Sequence, residues 1–484
     1  MTYFTIFQPI TAVAFFVLGA LFTVQRRPDL LLATALASLG FGGLWVVALG
    51  SLWMPIKIIA LWSFCYVVVF GRYWLKALRG PAALLLMILA IWIIVSCLLA
   101  YTLPLPSETA PSEGTQGTSL RPAVQLLGYL TALSFIPLAI EASRQPGALM
   151  RILSIYAASA IAIAAIGIYQ FVALRIGLGF MPIYRPHGNH NEAAAFQVAG
   201  QVIYRVYSLA GEPKSLGVFL FPYPTIGIIL APLSRSILPV WWNRRIFTAL
   251  TGIVCVMTYS TALLIALAVT CFAALALVLT GPSRYLVFTL LGLTALVLWG
   301  ALADSPYQDT STGTLIDIVY ERTVDRLADE ASERLEAYAL DLLINVYPGN
   351  LLTGFGLGMF VFYIPGLIHG SGIEPIDSGW ITALMDVGAI GTGLLVLLVL
   401  QISQRTLAGL KKHKKHDQYL ARASVGALIG CCALHLGTGA LVPMMIWGGI
   451  CYSFFGTCSL IQSFPNHAHL PTNRYPISLS NRAL

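Results

Sequence analysis

Charge is what this sequence has least of: Asp, Glu, Lys and Arg make up 10% of its 484 residues, against about 25% in ordinary soluble domains. With 58% apolar residues and a mean hydropathy of +0.80, that scarcity excludes a soluble globular fold. Also missing is the apolar/polar alternation over about ten residues that marks an outer-membrane β-barrel strand. The apolar runs here are continuous and recur from Pro9 to Ile461. At roughly 20 apolar residues per crossing of a ~30 Å hydrocarbon core, the chain is expected to be an all-α polytopic membrane protein with about 13 transmembrane helices, because backbone amides in lipid must be satisfied within helices. No basic residue precedes the first apolar run, so no cleaved signal peptide is expected. The eight cysteines all lie in apolar runs and read as small buried hydrophobes. No internal repeat is evident, which disfavours an inverted-repeat transporter.

Charge that is present is sorted by sign. Basic residues cluster in short connections from Arg26-Arg27 through Arg72, Arg144, Arg151 and Arg405 to the tail, 19 of the 28 falling on one side, with only Asp29, Glu141 and Asp417 as acids there. The positive-inside rule makes that side cytoplasmic, with an external N-terminus and an internal tail. The net +8 is then a basic inner face plus an acidic outer face, not a nucleic-acid signal. Spans are expected near Phe16, Gly40, Leu61, Ile91, Leu133, Ile163, Leu220, Val254, Leu267, Leu291, Leu395, Gly426 and Gly449. Residues 1–303 thus hold ten helices, with outer loops at 103–121 and 175–214. Residues 304–378 form one large, mostly helical outer loop between the spans near Leu291 and Leu395. Residues 379–461 hold the last three helices, and 462–484 a disordered cytoplasmic tail.

The three outer segments differ in composition. The first is rich in Pro, Ser, Thr and Gly and reads as a mobile loop. The third carries a helical pattern, from Thr314 until Tyr347-Pro348-Gly349 stops it. Arg322 and Arg326, four apart, share a face there, with Arg334 further along among interleaved acids. The second concentrates groups that bind anions or move protons: Arg185, His187, His190, Glu192, Arg205, Glu212 and Lys214. Lys214 and the amides of Ser215 and Leu216 fall at a helix N-terminus, which favours a phosphate. His187 and His190 lack a third ligand nearby, so no metal site is expected.

Two stretches carry a family resemblance. RVYSLAGEPKSLG (205–217) and the run from Glu333-Arg334 through LLINVYPGNLLTGFGLGMF to IDSGWITALMDVGAIG resemble the O-antigen ligase/polymerase superfamily, membrane glycosyltransferases acting on undecaprenyl-pyrophosphate-linked glycans. The similarity lies in an arginine before a small-residue turn that opens a span. It lies also in an arginine-led helix followed by a glycine turn, here Pro348, Gly354, Gly356 and Gly358. Ligases of the superfamily carry a histidine at the start of the next span. Here Asp377-Ser378-Gly379-Trp380-Ile381 stand there, followed by Asp386, Gly388 and Gly391, and His369 replaces that histidine only if the loop folds back. The departure is more similar to a polysaccharide polymerase, with ligation to lipid A core as the alternative.

The resemblance implies a site facing the periplasm from a bacterial inner membrane. Arg205 and Arg334, with Lys214, Arg322 and Arg326, would meet a diphosphate. Glu212 or Asp377 would take the acceptor proton, unless each only pairs with a neighbour or caps a helix. Tyr207, Trp380 and Phe355 would stack on sugars or only form the interfacial aromatic belt, and His369 would contact substrate. Metal-independent transfer without a cofactor is expected, since no Asp-x-Asp pair or histidine cluster occurs in an outer segment. The implied partners are the lipid-linked oligosaccharide, membrane lipids and a chain-length regulator, and no nucleic acid. Asp386, an ionisable residue inside a span, calls for a polar partner or cavity.

Overall fold

The structure is a computed structural model describing residues 4–48, 51–74, 80–103, 120–178, 195–198, 201–230, 245–260, 335–363, 378–410 and 415–463, with 263, 266–270 and 272–273 between them. The described chain is helical, with two short antiparallel hairpins. In order come α1 (Phe4–Val24), α2 (Pro28–Ser38), β1 (Val46–Ala48), β2 (Ser51–Trp53), α3 (Pro55–Phe70) and α4 (Pro81–Leu99). Next are α5 (Arg121–Leu133), α6 (Phe135–Ser143), α7 (Ala148–Ile176), β3 (Ala195–Val198), β4 (Gln201–Tyr204), α8 (Pro213–Leu220), α9 (Pro222–Leu230) and α10 (Arg245–Met257). The last are α11 (Leu335–Asp341), α12 (Gly379–Gly409), α13 (Lys415–Leu434) and α14 (Leu441–Ser463). Among the described residues, five helices are long and apolar enough to cross a membrane: Phe7–Val24, Pro81–Leu99, Arg121–Ser143, Ala148–Ile176 and Gly379–Gly409.

Local sequence sets the boundaries. Pro28, Pro55, Pro81, Pro122 and Pro213 each stand in the first turn of their helix, where the missing N–H has no intrahelical partner to lose. The 29-residue α7 is bracketed by Gly147 and Gly177, both in the left-handed region. One expected span is corrected here: Gly40 lies not at a helix centre but in the 3₁₀ turn Leu39–Phe41 that ends α2. The run after it, rich in valine and tryptophan and broken at Gly50, supplies the strands β1 and β2 instead.

Packing is tight where helices meet. Tyr156 of α7 packs edge-on against Phe219 (5.6 Å) and Trp447 (5.9 Å), all three buried. A Cβ on Gly449 would lie 2.7 Å from the Phe135 carbonyl oxygen, so α14 approaches α6 through a glycine. Close backbone approach through small residues is what holds helices together when both bundle and solvent are apolar. Outward faces remain apolar, as at Val13 and Phe16 of α1, Met87 and Ile91 of α4, and Leu397 and Leu400 of α12. Stripes of that kind suit lipid contact.

Basic residues of the short connections gather at one end of the bundle. Asp29, fully buried, pairs with Arg27 (3.1 Å) and Arg151 (2.7 Å). Glu141 accepts the amides of Tyr73 (2.7 Å) and Trp74 (2.9 Å), while Arg144 lies over the Tyr73 ring. Gly80 leaves space for the Arg405 guanidinium. Two of the three acids expected among these cations, Asp29 and Glu141, are thus structural counter-charges. The described cysteines are all free.

Candidate functional site

The stretch after β4 is a buttressed turn sunk against the middle of α7. Val206 donates its amide to Met257 O (3.2 Å), and Arg205 Nε donates to Thr258 O (3.0 Å). Gln170, with 0% exposure, accepts both the Tyr207 amide (3.0 Å) and the Ser208 amide (2.8 Å) on Oε1. Ser208 Oγ donates to Ile163 O (2.8 Å). Ser208 (φ +48) and Gly211 (φ +75) turn the chain through the left-handed region, and Gly43 donates to Leu209 O (3.0 Å). Ile163 and Gln170 stand about 20 Å and 9 Å before the end of α7 at 1.5 Å per residue. The turn is therefore recessed among helices.

That turn carries Arg205, Glu212 and Lys214, all half-buried. Glu212 is the extended N-cap residue of α8, with Pro213 behind it, and its Oε2 accepts from Ser215 Oγ (3.1 Å). Leu216 donates its amide to Glu212 O (3.0 Å), so contrary to expectation that amide serves the helix rather than a ligand. Tyr207 is 1% exposed; its ring belongs to the core and offers no face to a sugar.

A second polar cluster surrounds the start of α12. Its cap is Ser378, whose Oγ accepts from Ile381 N (3.4 Å), and not Asp377. Trp380, half-buried, donates Nε1–H to Cys432 O (2.9 Å) and its amide to His435 O (3.2 Å), with its ring 5.0 Å from the imidazole. His435 sits in the turn between α13 and α14 and is 3% exposed. Burial pushes its pKa down to about 4, so the imidazole is neutral at ordinary pH, with Nδ1 accepting the Ala440 amide (2.9 Å). The imidazole occupies the space a side chain at residue 379 would need, which is why glycine stands there.

Deeper in α12 the helix breaks at Gly388 (φ +67), and the glycine turn fills the break. Phe355 N donates to Met385 O (2.7 Å), and Ala389 N and Ile390 N donate to Leu351 O (2.9 Å) and Leu352 O (3.2 Å). Trp92 Nε1 and Ser96 Oγ of α4 donate to Val387 O (2.8 Å) and Asp386 O (2.6 Å). Backbone freed by a break in an apolar helix needs such partners. Gly354, Gly356 and Gly358 all have positive φ, and a Cβ on Gly356 would lie 2.6 Å from Ala100 Cα. The buried Asp386 carboxylate accepts from Gly358 N on Oδ1 (2.8 Å) and from Tyr129 OH on Oδ2 (3.1 Å). Asp386 thus has the polar partners its position called for.

Arg121, the first residue of α5, lies 6.0 Å over the Phe362 ring with its Nε buried and unpartnered among the described residues. Sequence reading passed over this cation as the edge of a mobile loop, and over Gln170, Tyr129 and His435 as parts of apolar runs. Of the expected site residues, Arg205, Glu212 and Lys214 share one turn, and Trp380 belongs to the second cluster. Arg322, Arg326, Arg334, His369 and Asp377 lie outside the described residues, as do the tail beyond Ser463 and the Leu291 span. No three of His, Cys, Asp and Glu gather to hold a metal among the described residues. No protein-family model matches the chain, and no curated protein matches it.

Proposed function

We propose that this membrane protein is a polysaccharide polymerase of a bacterial inner membrane. It joins lipid-linked oligosaccharide repeats on the periplasmic side within a bundle of about 13 spans. The observation that carries this reading is the recessed turn. A span needs no buried glutamine bracing a left-handed serine, yet here that bracing sets Arg205, Glu212 and Lys214 together among apolar helices. The resemblance of residues 205–217 and 333–391 to the O-antigen ligase/polymerase superfamily supplies the reaction class.

In the proposed step an acceptor sugar hydroxyl attacks the anomeric carbon of the donor glycan. The carbon–oxygen bond to the pyrophosphate breaks, its electron pair leaving with undecaprenyl pyrophosphate, and the Glu212 carboxylate takes the hydroxyl proton. Arg205 and Lys214, with Arg334 from the large loop, meet the charge growing on the diphosphate. Preorganised cations shielded from bulk water act most strongly there, each worth on the order of 10²–10³ in rate. Trp380 lies at the start of the span that follows the large loop, where the resemblance places the sugar end.

Purified protein in nanodiscs incubated with a lipid-linked repeat should yield a ladder of products. Unchanged substrate with folded protein refutes the polymerase, and transfer to lipid A core alone selects the ligase.

A further inference from the structure

Beside the second cluster lies a cavity of about 190 Å³ between α5, α12 and the turn from α13 to α14. At roughly 10–15 Å³ of such space per water-sized heavy atom, it has room for about 13–19 such atoms. Gln125, Tyr129, Thr382, Asp386 and His435 line it; the Tyr129 and Thr382 hydroxyls donate to Asp386 and to Ser378 O, which leaves their oxygens as acceptors. Tyr129 and Gly358 occupy one lone pair on each Asp386 oxygen, and an ionised carboxylate accepts more than two hydrogen bonds. His435 Nδ1 accepts from Ala440, and the ring also hydrogen-bonds the Thr438 backbone. Between these groups the wall is apolar, at Ala383, Leu395 and Leu441.

Two glycines keep the cavity reachable. Gly128 and Gly439 both line it, both are exposed, and a Cβ on either would meet nothing within 4 Å. Neither has positive φ, so backbone strain does not explain glycine at these positions. The effect of both is an open mouth.

We propose that this cavity is a subsite for one neutral sugar ring. Mixed donors and acceptors suit hydroxyl groups, which are both, and the apolar wall suits the carbon–hydrogen face of a pyranose. The Asp386 carboxylate disfavours an anion, and Arg121 beside it disfavours a cation. A hexose has twelve heavy atoms, which the space admits. Resting on the polymerase reading, the ring is the terminal sugar of the acceptor repeat, held apart from the cations that receive the diphosphate.

The test uses the full chain in lipid nanodiscs, so that no sugar-headed detergent competes, with methyl glycosides of glucose, galactose, mannose and N-acetylglucosamine as probes. Saturation-transfer NMR should show at least one bound. Gly128→Leu, which fills open space and improves helix propensity, should weaken that binding more than tenfold. Thr382→Val should weaken it severalfold. Absence of binding by all four probes to wild type, or equal binding to Gly128→Leu, overturns the subsite. The polymerase reading is judged separately by the product ladder, so a chain that makes the ladder but binds no glycoside loses only this inference.

Discussion

Gln170 is the residue on which the recessed turn depends, and its replacement by methionine separates bracing from chemistry. Gln170→Met keeps side-chain length and removes the oxygen that accepts from Tyr207 and Ser208 at 3.0 and 2.8 Å. Each buried amide left without an acceptor costs ~1–3 kcal/mol, about 2–6 kcal/mol for the pair. The substitution also deletes Nε2, a buried donor with no partner among the described residues, which returns ~1–3 kcal/mol by the same reasoning. Net destabilisation is then on the order of 2–3 kcal/mol, and the two terms are read by different measurements. Thermal unfolding in nanodiscs reports the net loss. Hydrogen exchange of a peptide covering residues 205–212 reports the unbraced turn, which should open at least ~30-fold more often, since 1.4 kcal/mol is tenfold. Transfer activity should fall with it, because Arg205 and Glu212 no longer hold their placement, although neither has been altered. If exchange over 205–212 is unchanged in Gln170→Met, the turn is held by something else, and the argument for a preorganised site fails.

Gly388→Ala should destabilise the protein by ~1–3 kcal/mol from backbone conformation alone, with more from the encroachment of a methyl group on Leu352 O; a lowered Tm and faster proteolysis of the 348–358 turn check this. Arg205→Ala should lower transfer by about 10²–10³ and lower Tm modestly, with a loss of ~1 kcal/mol in stability, because Thr258 O loses its donor. Arg205→Lys should restore only a small part of the transfer, because lysine lacks the planar fork; steady-state rates and Tm of the two variants decide it. The His435 prediction concerns pH. An imidazole that protonates near pH 4 in the fold and near its ordinary 6.5 when unfolded binds fewer protons folded than unfolded across that window. Stability should therefore fall as pH drops from 6.5 to 4, by on the order of 3 kcal/mol, and level off below. Tm of wild type against His435→Gln over pH 7 to 4 measures it, and parallel curves would refute it.

What could be read from the residues was what depends on near neighbours. Apolar runs placed most of the described helices, and the sorting of charge anticipated the short connections where Arg27, Arg144 and Arg151 meet Asp29 and Glu141. The failure at Gly40 was also local, a span expected there where α2 instead ends and the short strands β1 and β2 follow. The depth of the 205–214 turn was not legible, because it is set by Gln170 and Ile163, tens of residues away in a helix whose own pattern is uniformly apolar. His435 was hidden in the same way, its role being fixed by the missing side chain at Gly379.

The glycine turn stood between these cases. Gly354, Gly356 and Gly358 at every second position announce backbone in the left-handed region, and Asp386 two residues before Gly388 announces a polar need inside a span. Only the fold shows that these are one feature. The turn supplies the donors and acceptors that the broken helix lacks, and Asp386 fixes the turn through the Gly358 amide. It follows that the turn at 348–358 is registered to α12 by backbone hydrogen bonds. Residues 335–347, which lead directly into the turn, are therefore tied to α12 through it. Side chains outside regular helices hold a fixed geometry only where such an anchor exists, and for residues 351–358 the hydrogen bonds to 385–390 provide it.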